Sequence, residues 1–408
     1  MASTPADDST GISFSLDNET RMIIESLEEF IEQEVRPLQS ELRDTYSNPR
    51  LKYEDDGRFA QPVLEAIETV RQQSAMAGFY AMNLPADYGG GGVSHVTWYS
   101  ANKCVAASDV PLARYVLAGP EGPKPLLLEA DGDQVERYLE PTMQAEKSTA
   151  FAQTEPGIGS DSPNMDTTAE RDGDEWVING TKQWITNAPY ADFLQVFART
   201  TPQEEAGRYG GITCFLVEAD EYEIGSMNNA VGQIGYQSEV HFDDVRVAHD
   251  RVLGDPDEAF YHAMDFLSLG RLELGAQSVG HAQFLLEKAT EYANGREAFG
   301  DRIGSYQGIA HKIARGRARN YAADASGLRL AWEMDRDEPT VEDSSIFKWF
   351  ATNVFWDVAD DVVQVHGANG LSEENPFMDR LEYARVLRIV EGTDEIQLNT
   401  IAKENGLL

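Results

Sequence analysis

The stretch WVINGTKQWI, Trp176–Ile185, decides how the 408-residue chain is read. Two runs rich in β-forming residues flank Asn179-Gly180, a dipeptide suited to a tight turn, and the spacing predicts a hairpin. Neighbouring stretches extend the pattern: FLQVFART (193–200), GITCFLVEAD (211–220) and EVHFDDVRV (239–247) are short β-like segments with turn residues between them. The block from about Phe151 to Gly254 is therefore expected to form an antiparallel β domain. Strands do not alternate with helices, which disfavours a doubly wound parallel sheet.

Helical texture lies on both sides. LDNETRMIIESLEEFIEQEVRPLQSEL (16–42) sets Met22, Ile23, Leu27, Phe30 and Ile31 at a helical period, and Pro37 is expected to end or kink that helix. Helical patterns recur after Arg58, Ser94 and Asp131. Beyond Pro256, residues Phe260, Met264, Leu267, Arg271, Leu274, Ser278, His281 and Leu285 follow one helix face. Further helices are expected over Tyr306–Trp332, Val341–Val365 and Asp394–Lys403. The predicted class is α+β: an N-terminal helical domain (1–150), a central antiparallel β-barrel-like domain (151–255) and a C-terminal four-helix bundle (256–408).

The chain carries 33 basic and 70 acidic residues, a net charge of -37, spread along its length. Phosphate-backbone binding needs clustered Lys and Arg, so a nucleic-acid partner is disfavoured. Two readings of the acidity stand: a surface adapted to molar salt, where the Debye length is only about 3 Å, or an ordinary acidic protein. Cys104 and Cys214 form no CxxC pair, and the seven histidines make no metal-binding spacing, so no metal is expected. MASTPADDSTG (1–11) lacks the features of a signal peptide and no apolar run is long enough for a membrane span, so a cytoplasmic location is expected.

Three glycine-rich stretches, EPGIGSDS (155–162), DYGGGGVS (87–94) and GPEGPKP (119–125), match neither GxGxxG nor a P-loop, and each alone reads as a turn. In combination one of them says more. TEPGIGS (154–160), NGTKQWITN (179–187), REAFG (296–300), QVHGANG (364–370) and VEGTDEIQ (390–397) together resemble the acyl-CoA dehydrogenase family, in that family's order and across nearly the whole chain.

The resemblance implies FAD as cofactor and an acyl-CoA thioester as substrate. Phe151, Thr154 and Ser160 match the stretch that wraps the flavin, with Ser160 turned toward cofactor and substrate. Trp184, Ile185 and Thr186 match the segment packed on the ring, Thr186 offering its hydroxyl and Trp184 covering it. Arg296, Phe299 and Gln307 match contacts to a neighbouring subunit's FAD. Gln364 and Gly367 match a further cofactor contact, with Ala368 in place of its second glycine. Thr393 and Glu395 match cofactor-proximal positions. Taken alone, Trp184 reads equally as a core aromatic, and Arg296 as an exposed helix-end charge.

Glu391 matches the family's catalytic base, which removes the α-proton of the thioester. Gly392 would let the thioester approach the backbone N–H groups that steady the developing enolate. A helix start just beyond Glu391 favours its anion, whereas desolvation raises its pKa and strengthens it as a base. The alternative position of the base in some relatives is Gly270 here, so that base is absent. Glu273 reads as a solvated or pairing charge. Arg271 interrupts an apolar seam and reads either as a substrate-pocket residue or as half of a structural ion pair.

The implied activity is dehydrogenation of an acyl-CoA to the trans-2-enoyl-CoA, as in fatty-acid β-oxidation. Electrons would pass to an electron-transfer flavoprotein, from a homotetramer built as a dimer of dimers. The rivals are an acyl-CoA oxidase on the same fold and a catalytically inactive homologue acting as a binding or assembly factor. Departures from the family pattern at Glu382-Tyr383, Ser268 and GQIGYQSEVHF (232–242) leave acyl length and branching open.

Overall fold

The computed structural model describes residues 16–408 apart from Phe266, so the expectation for residues 1–11 lies outside the described residues. The N-terminal helical layer is built on α1 (Asn18–Phe30), α2 (Gln61–Met76) and α3 (His95–Ala107). Asp17 caps α1 by accepting the Thr20 N–H (2.7 Å). Leu27, Phe30, Val63, Val70 and Trp98 make its core. Met22, placed on the apolar face from periodicity, is instead exposed. Pro37 is accommodated by a wide π-type turn at Ile31–Val35, in which the Arg36 N–H reaches Ile31 O, before helix resumes at Arg36–Glu41.

The central domain is a single sheet in the order β6-β7-β3-β2-β4-β5-β8, with β1 added on β4. Its strands are β1 (Thr149–Ala152), β2 (Thr168–Asp172), β3 (Glu175–Thr186), β4 (Phe193–Arg199), β5 (Ile212–Glu218), β6 (Glu223–Met227), β7 (Gln237–Ala248) and β8 (Val252–Leu253). Most pairs are antiparallel, but β1 runs parallel to β4, and Thr168 pairs in parallel with Arg199, so the sheet is mixed. β4 and β5 are buried on both faces. Phe193, Phe197, Cys214 and Leu216 face the helical layer, while Leu194, Val196, Phe215 and Val217 face the other core.

The expected hairpin at Asn179-Gly180 does not form. β3 runs straight through it, and the register on β7 slips by one residue between Ile178↔Val245 and Gly180↔Phe242. Asn179 spans this bulge: its Nδ2 donates to Asp244 Oδ1 (3.1 Å) and its Oδ1 accepts the Asp244 N–H (2.9 Å). Gly180, at φ +152°, lies where a Cβ would come within 2.8 Å of the Thr167 backbone. The Asn-Gly pair thus serves close strand approach rather than reversal.

Leu267–Gly295 forms the long helix α4, preceded by Ala259–Asp265. The bundle continues with α5 (Gln307–Met334), α6 (Val341–His366) and α7 (Phe377–Leu387), and α8 (Asp394–Glu404) closes the chain. Helix α7 was not anticipated, because RLEYARVLRI carries charge on most of its turns. Met264, assigned to the buried face, is exposed. Gly275 on α4 and Gly327 on α5 both face the Phe347 ring of α6, where a Cβ would stand 2.2 and 2.6 Å away. Gly280 lets α4 press onto α3, since a Cβ there would meet Lys103 O at 2.2 Å. These approaches lock the helical layers together and set α4 beside the loops that follow α3.

Candidate active site

The segment Arg388–Asp394 between α7 and α8 is clamped at both ends. Arg388 Nε donates to Asp394 Oδ2 (2.7 Å), and the Asp394 N–H returns to Arg388 O (3.1 Å). Within the clamp Glu391 takes φ +53° and Gly392 φ +86°. The first is a left-handed conformation that a non-glycine residue holds only when its surroundings impose it. The surroundings are visible: Gln397 Nε2 donates to Glu391 O (2.9 Å) and Gly392 O (3.0 Å), and Lys348 Nζ donates to Gly392 O (2.8 Å). Both carbonyls therefore point into protein. Among the described residues the N–H groups of Glu391 and Gly392 have no acceptor, which leaves two donors beside the carboxylate.

That carboxylate lies over α4 at Gly270, where an added Cβ would sit 3.3 Å from Glu391 Cδ. The two positions considered for the base converge in space, and the missing side chain at Gly270 makes room for the one present. Glu391 is exposed, yet protein packs densely around it. Desolvation raises its pKa above the ordinary value and Glu273 adds to this, while Lys124, Arg271 and Lys348 pull the other way. Desolvation outweighs the nearby start of α8, whose N-terminus is already capped by Thr393 (Ile396 N–H to Oγ1, 3.4 Å).

The charges around it are arranged in pairs and exceptions. Glu273 is buried, accepting Trp98 Nε1–H (3.1 Å) and an ion pair from Lys124 Nζ (2.9 Å), so it is not solvated. Arg271 is buried but pairs with no carboxylate among the described residues; Nη1 donates to the hydroxyls of Ser345 (3.0 Å) and Ser344 (3.3 Å), and Nε has no partner. Ser268, one turn earlier, donates to the same Ser344 hydroxyl (3.3 Å).

Two of the flavin-type motifs meet at the C-terminal end of β3. A bulge in β3 between Lys182 and Ile185 gives Trp184 φ +62° and turns it outward, 46% exposed. Its N–H is held by Asn228 Oδ1 (3.1 Å). Ile185 points the opposite way into the β core, so only its backbone faces the Trp184 side. Thr186 Oγ1 accepts from Gln237 Nε2 (3.1 Å), leaving its own proton available. Thr154 O accepts the Gln183 N–H (2.9 Å), tying the TEPGIGS loop to this bulge. Phe151 is partly buried, its ring 4.7 Å from that of Phe197. Ser160 is exposed, as is Glu395 in the first turn of α8.

Glu155 anchors the loop. It is buried, accepts the N–H groups of Asp166 (2.6 Å) and Thr167 (2.9 Å), and pairs with fully buried Lys182 (2.8 Å). Beyond it, Gly157 and Gly159 face open space, and among the described residues the N–H groups of Gly157, Gly159 and Ser160 have no acceptor. Free backbone donors beside an outward aromatic suit a planar heteroaromatic group with phosphates.

Residues 17–146, 150–245 and 258–405 match, in that order, the acyl-CoA dehydrogenase N-terminal, middle and C-terminal domains. The chain belongs to the acyl-CoA dehydrogenase family. Like its relatives it is an oxidoreductase. It is 31% identical over 379 residues to a 3-(aryl)acrylate reductase of Clostridium sporogenes, covering 92% of this chain and 95% of that one. It is 32% identical over 354 residues to the caffeyl-CoA reductase–Etf complex subunit CarC of Acetobacterium woodii, covering 86% and 90%. Among solved structures, butyryl-CoA dehydrogenase of Megasphaera elsdenii superposes with a TM-score of 0.82 at 26% identity, over 97% of this chain and 100% of that one.

In this acyl-CoA dehydrogenase the remaining motif residues form a second patch. Arg296 and Phe299 stand at the far end of α4, where Phe299 is 99% exposed. Gln307 opens α5, and Gln364 and Gly367 end α6, all exposed. Rings of Tyr292 and His366, 4.5 Å apart, bring those ends together. At about 1.5 Å per residue, Arg296 lies about 40 Å along α4 from Gly270.

Lys124, Lys348, Gln397 and Trp98 were not singled out from the sequence. The usable signal was a lysine inside an apolar helical run, IFKWF, and another between two prolines, PKP. Lys348 has a fully buried side chain, and desolvation brings it down to about 8 against the pull of Asp394 and Glu391. Lys348→Met is expected to release the Gly392 carbonyl and lower turnover about 10- to 100-fold, on the scale of a misplaced reacting group. Removing this cation also raises the Glu391 pKa, so the acid limb of the pH–rate profile moves to higher pH. A rapid-mixing pH series checks both; an unchanged limb and rate would remove Lys348 from the site.

Proposed function

We propose that this protein binds FAD at the sheet edge marked by Trp184 and the 154–160 loop, and that it interconverts acyl-CoA and trans-2-enoyl-CoA thioesters. The observation that carries the reading is the placement of Glu391: a desolvated carboxylate over Gly270, beside two unspent backbone N–H groups. In this reading Glu391 takes the α-proton and the N–H groups of Glu391 and Gly392 bind the thioester oxygen as negative charge develops there. Bound FAD supplies the hydride-accepting chemistry. Trp184 covers its ring, Thr186 offers a hydroxyl, and the Gly157, Gly159 and Ser160 N–H groups meet its polar edges.

The relatives named as reductases favour the same chemistry run in either direction. A carboxyl whose pKa is raised can return the α-proton as readily as remove it. The CarC relative, named as part of a complex with Etf, supports an electron-transfer flavoprotein as the redox partner. The second patch supports an assembly in which Arg296, Phe299 and Gln307 of one copy reach a neighbour's flavin, in a homotetramer whose mass light scattering would read. The acidity suits molar salt inside a cell, where self-repulsion is screened.

The deciding experiment mixes FAD-loaded protein anaerobically with a panel of acyl-CoA thioesters and follows bleaching of the flavin. Bleaching by at least one saturated thioester, with the colour restored by the matching enoyl-CoA, is expected. A flavin untouched by every thioester, or a protein that does not retain FAD, would overturn the reading. Rapid peroxide formation in air would shift it to an oxidase.

A further inference from the structure

One face of α4 carries a row of polar contacts leading away from Glu391. Gly270, Glu273 and Gln277 recur at helical spacing on that face. Glu391 rests over the first, and Trp98 and Lys124 meet the second. The third accepts the Tyr383 hydroxyl (2.9 Å) and donates to Asn102 Oδ1 (3.4 Å). Gln277 lies two turns from Gly270, about 10 Å along the axis. At that end stands Arg114, whose guanidinium is 5.5 Å from the ring centroids of Tyr383, Tyr115 and Tyr236.

Arg114 is exposed although it sits among buried neighbours: Leu112, Ala113, Tyr115 and Val116 are all closed off from solvent. Among the described residues its guanidinium makes no hydrogen bond and no ion pair. The neighbouring charges have partners. Lys124 is paired with Glu273. Buried Glu121, which accepts the Gly119 N–H (3.3 Å), is offset by Arg71, whose Nε donates to Tyr80 Oη (3.2 Å). Arg114 is left as an unpaired fork of donors beside the rings of Tyr115, Tyr236 and Tyr383, at the Gln277 end of this row.

We propose that Arg114 is a specificity residue for the acyl group, and that the preferred substrate carries an anionic or acidic oxygen at the end remote from the thioester. The inference rests on the function proposed above. A carboxylate at the end of a straight chain and a phenol on an aryl ring present the same chemistry to a guanidinium: an acceptor oxygen, with tyrosine rings to enclose what precedes it. An apolar chain end would leave the cation without a partner once water is displaced, which is costly.

The test compares octanedioyl-CoA with octanoyl-CoA, and 3-(4-hydroxyphenyl)propanoyl-CoA with 3-phenylpropanoyl-CoA. Affinity is measured by calorimetry in the FAD-loaded Glu391→Gln protein, where heat reports binding alone, and kcat/KM in the otherwise unaltered enzyme. At least one acid-ended thioester is expected to bind about 10- to 100-fold tighter than its apolar partner, the range of a charge-assisted hydrogen bond. Which of the two pairs shows the gap tells carboxylate from phenol. Arg114→Leu should erase the preference and spare apolar thioesters, while Arg114→Lys should keep part of it. Equal affinity within both pairs, or an equal loss for both members in Arg114→Leu, would overturn the proposal while leaving the general reaction intact. If the leucine variant does not fold, the comparison in the unaltered enzyme decides alone. Failure of every thioester to bind removes both the proposal and the reading beneath it.

Discussion

Glu391→Gln is expected to retain FAD and bind thioesters while losing flavin reduction by about 1,000-fold or more. A positioned general base contributes up to roughly 10⁴-fold, and the amide keeps its shape without accepting the proton. Rapid mixing under anaerobic conditions measures the rate directly. The pH dependence follows from the direction of the pKa shift. Desolvation raises the Glu391 carboxyl above its ordinary 4.5, so the fraction able to take a proton grows as pH rises through that elevated value. Acyl-CoA oxidation should therefore climb along an acid limb, and the reverse reaction, which needs the protonated form, should fall along it. The limb disappears in the glutamine variant. A variant that reduces its flavin at near-normal rate would place the base elsewhere.

The second large effect concerns stability. Glu155 and Lys182 form a closed pair, their side chains 3% and 0% exposed. Removing one partner leaves the other charge buried alone, at about 3–5 kcal/mol. Glu155→Ala should lower the unfolding free energy by that amount and release the 154–160 loop, so FAD should be lost well before the fold. The double variant Glu155→Leu/Lys182→Met should recover much of the stability, though not all, because the Asp166 and Thr167 N–H groups still lack their acceptor. Lys182 and these backbone donors hold the Glu155 carboxyl below its ordinary value against desolvation. A depressed carboxyl contributes stability that is fully present above the unfolded value of 4.5 and is lost as pH falls through the folded one. Denaturation curves across that window, with flavin fluorescence as the readout of release, check both statements. A Glu155→Ala protein that unfolds like the parent and keeps its FAD would contradict them.

The site was partly readable from local signals. The order of helices, sheet and helices follows from periodicities of 3.6 and 2, which any window of ten residues displays. Glu391 and Gly392 stand out only through the motif they share with the family, since alone a carboxylate at a helix start reads as a helix-start charge. TEPGIGS announces itself as a turn, whereas the bulge at Asn179-Gly180 was expected as a hairpin. A dipeptide that permits positive φ serves a tight turn or a close strand crossing equally well, and only the neighbouring strand chooses.

The rest was settled by contacts between residues far apart in the chain. Lys124 meets Glu273, Lys348 meets Gly392, and Arg114 shares a wall with Tyr383. Nothing within a few residues of any of them marks these partners, since a buried cation is defined by what other segments bring to it. The parallel pairing of β1 with β4 is of the same kind, a tertiary return rather than a local turn. The sequence by itself thus determined the element types and their order, because short-range sterics and hydrophobic period write those locally, and its motifs singled out Glu391 through their likeness to the family. Tertiary structure alone decided which charges surround Glu391. Those depend on helices pressed together at Gly275, Gly280 and Gly327, distances that no local pattern encodes.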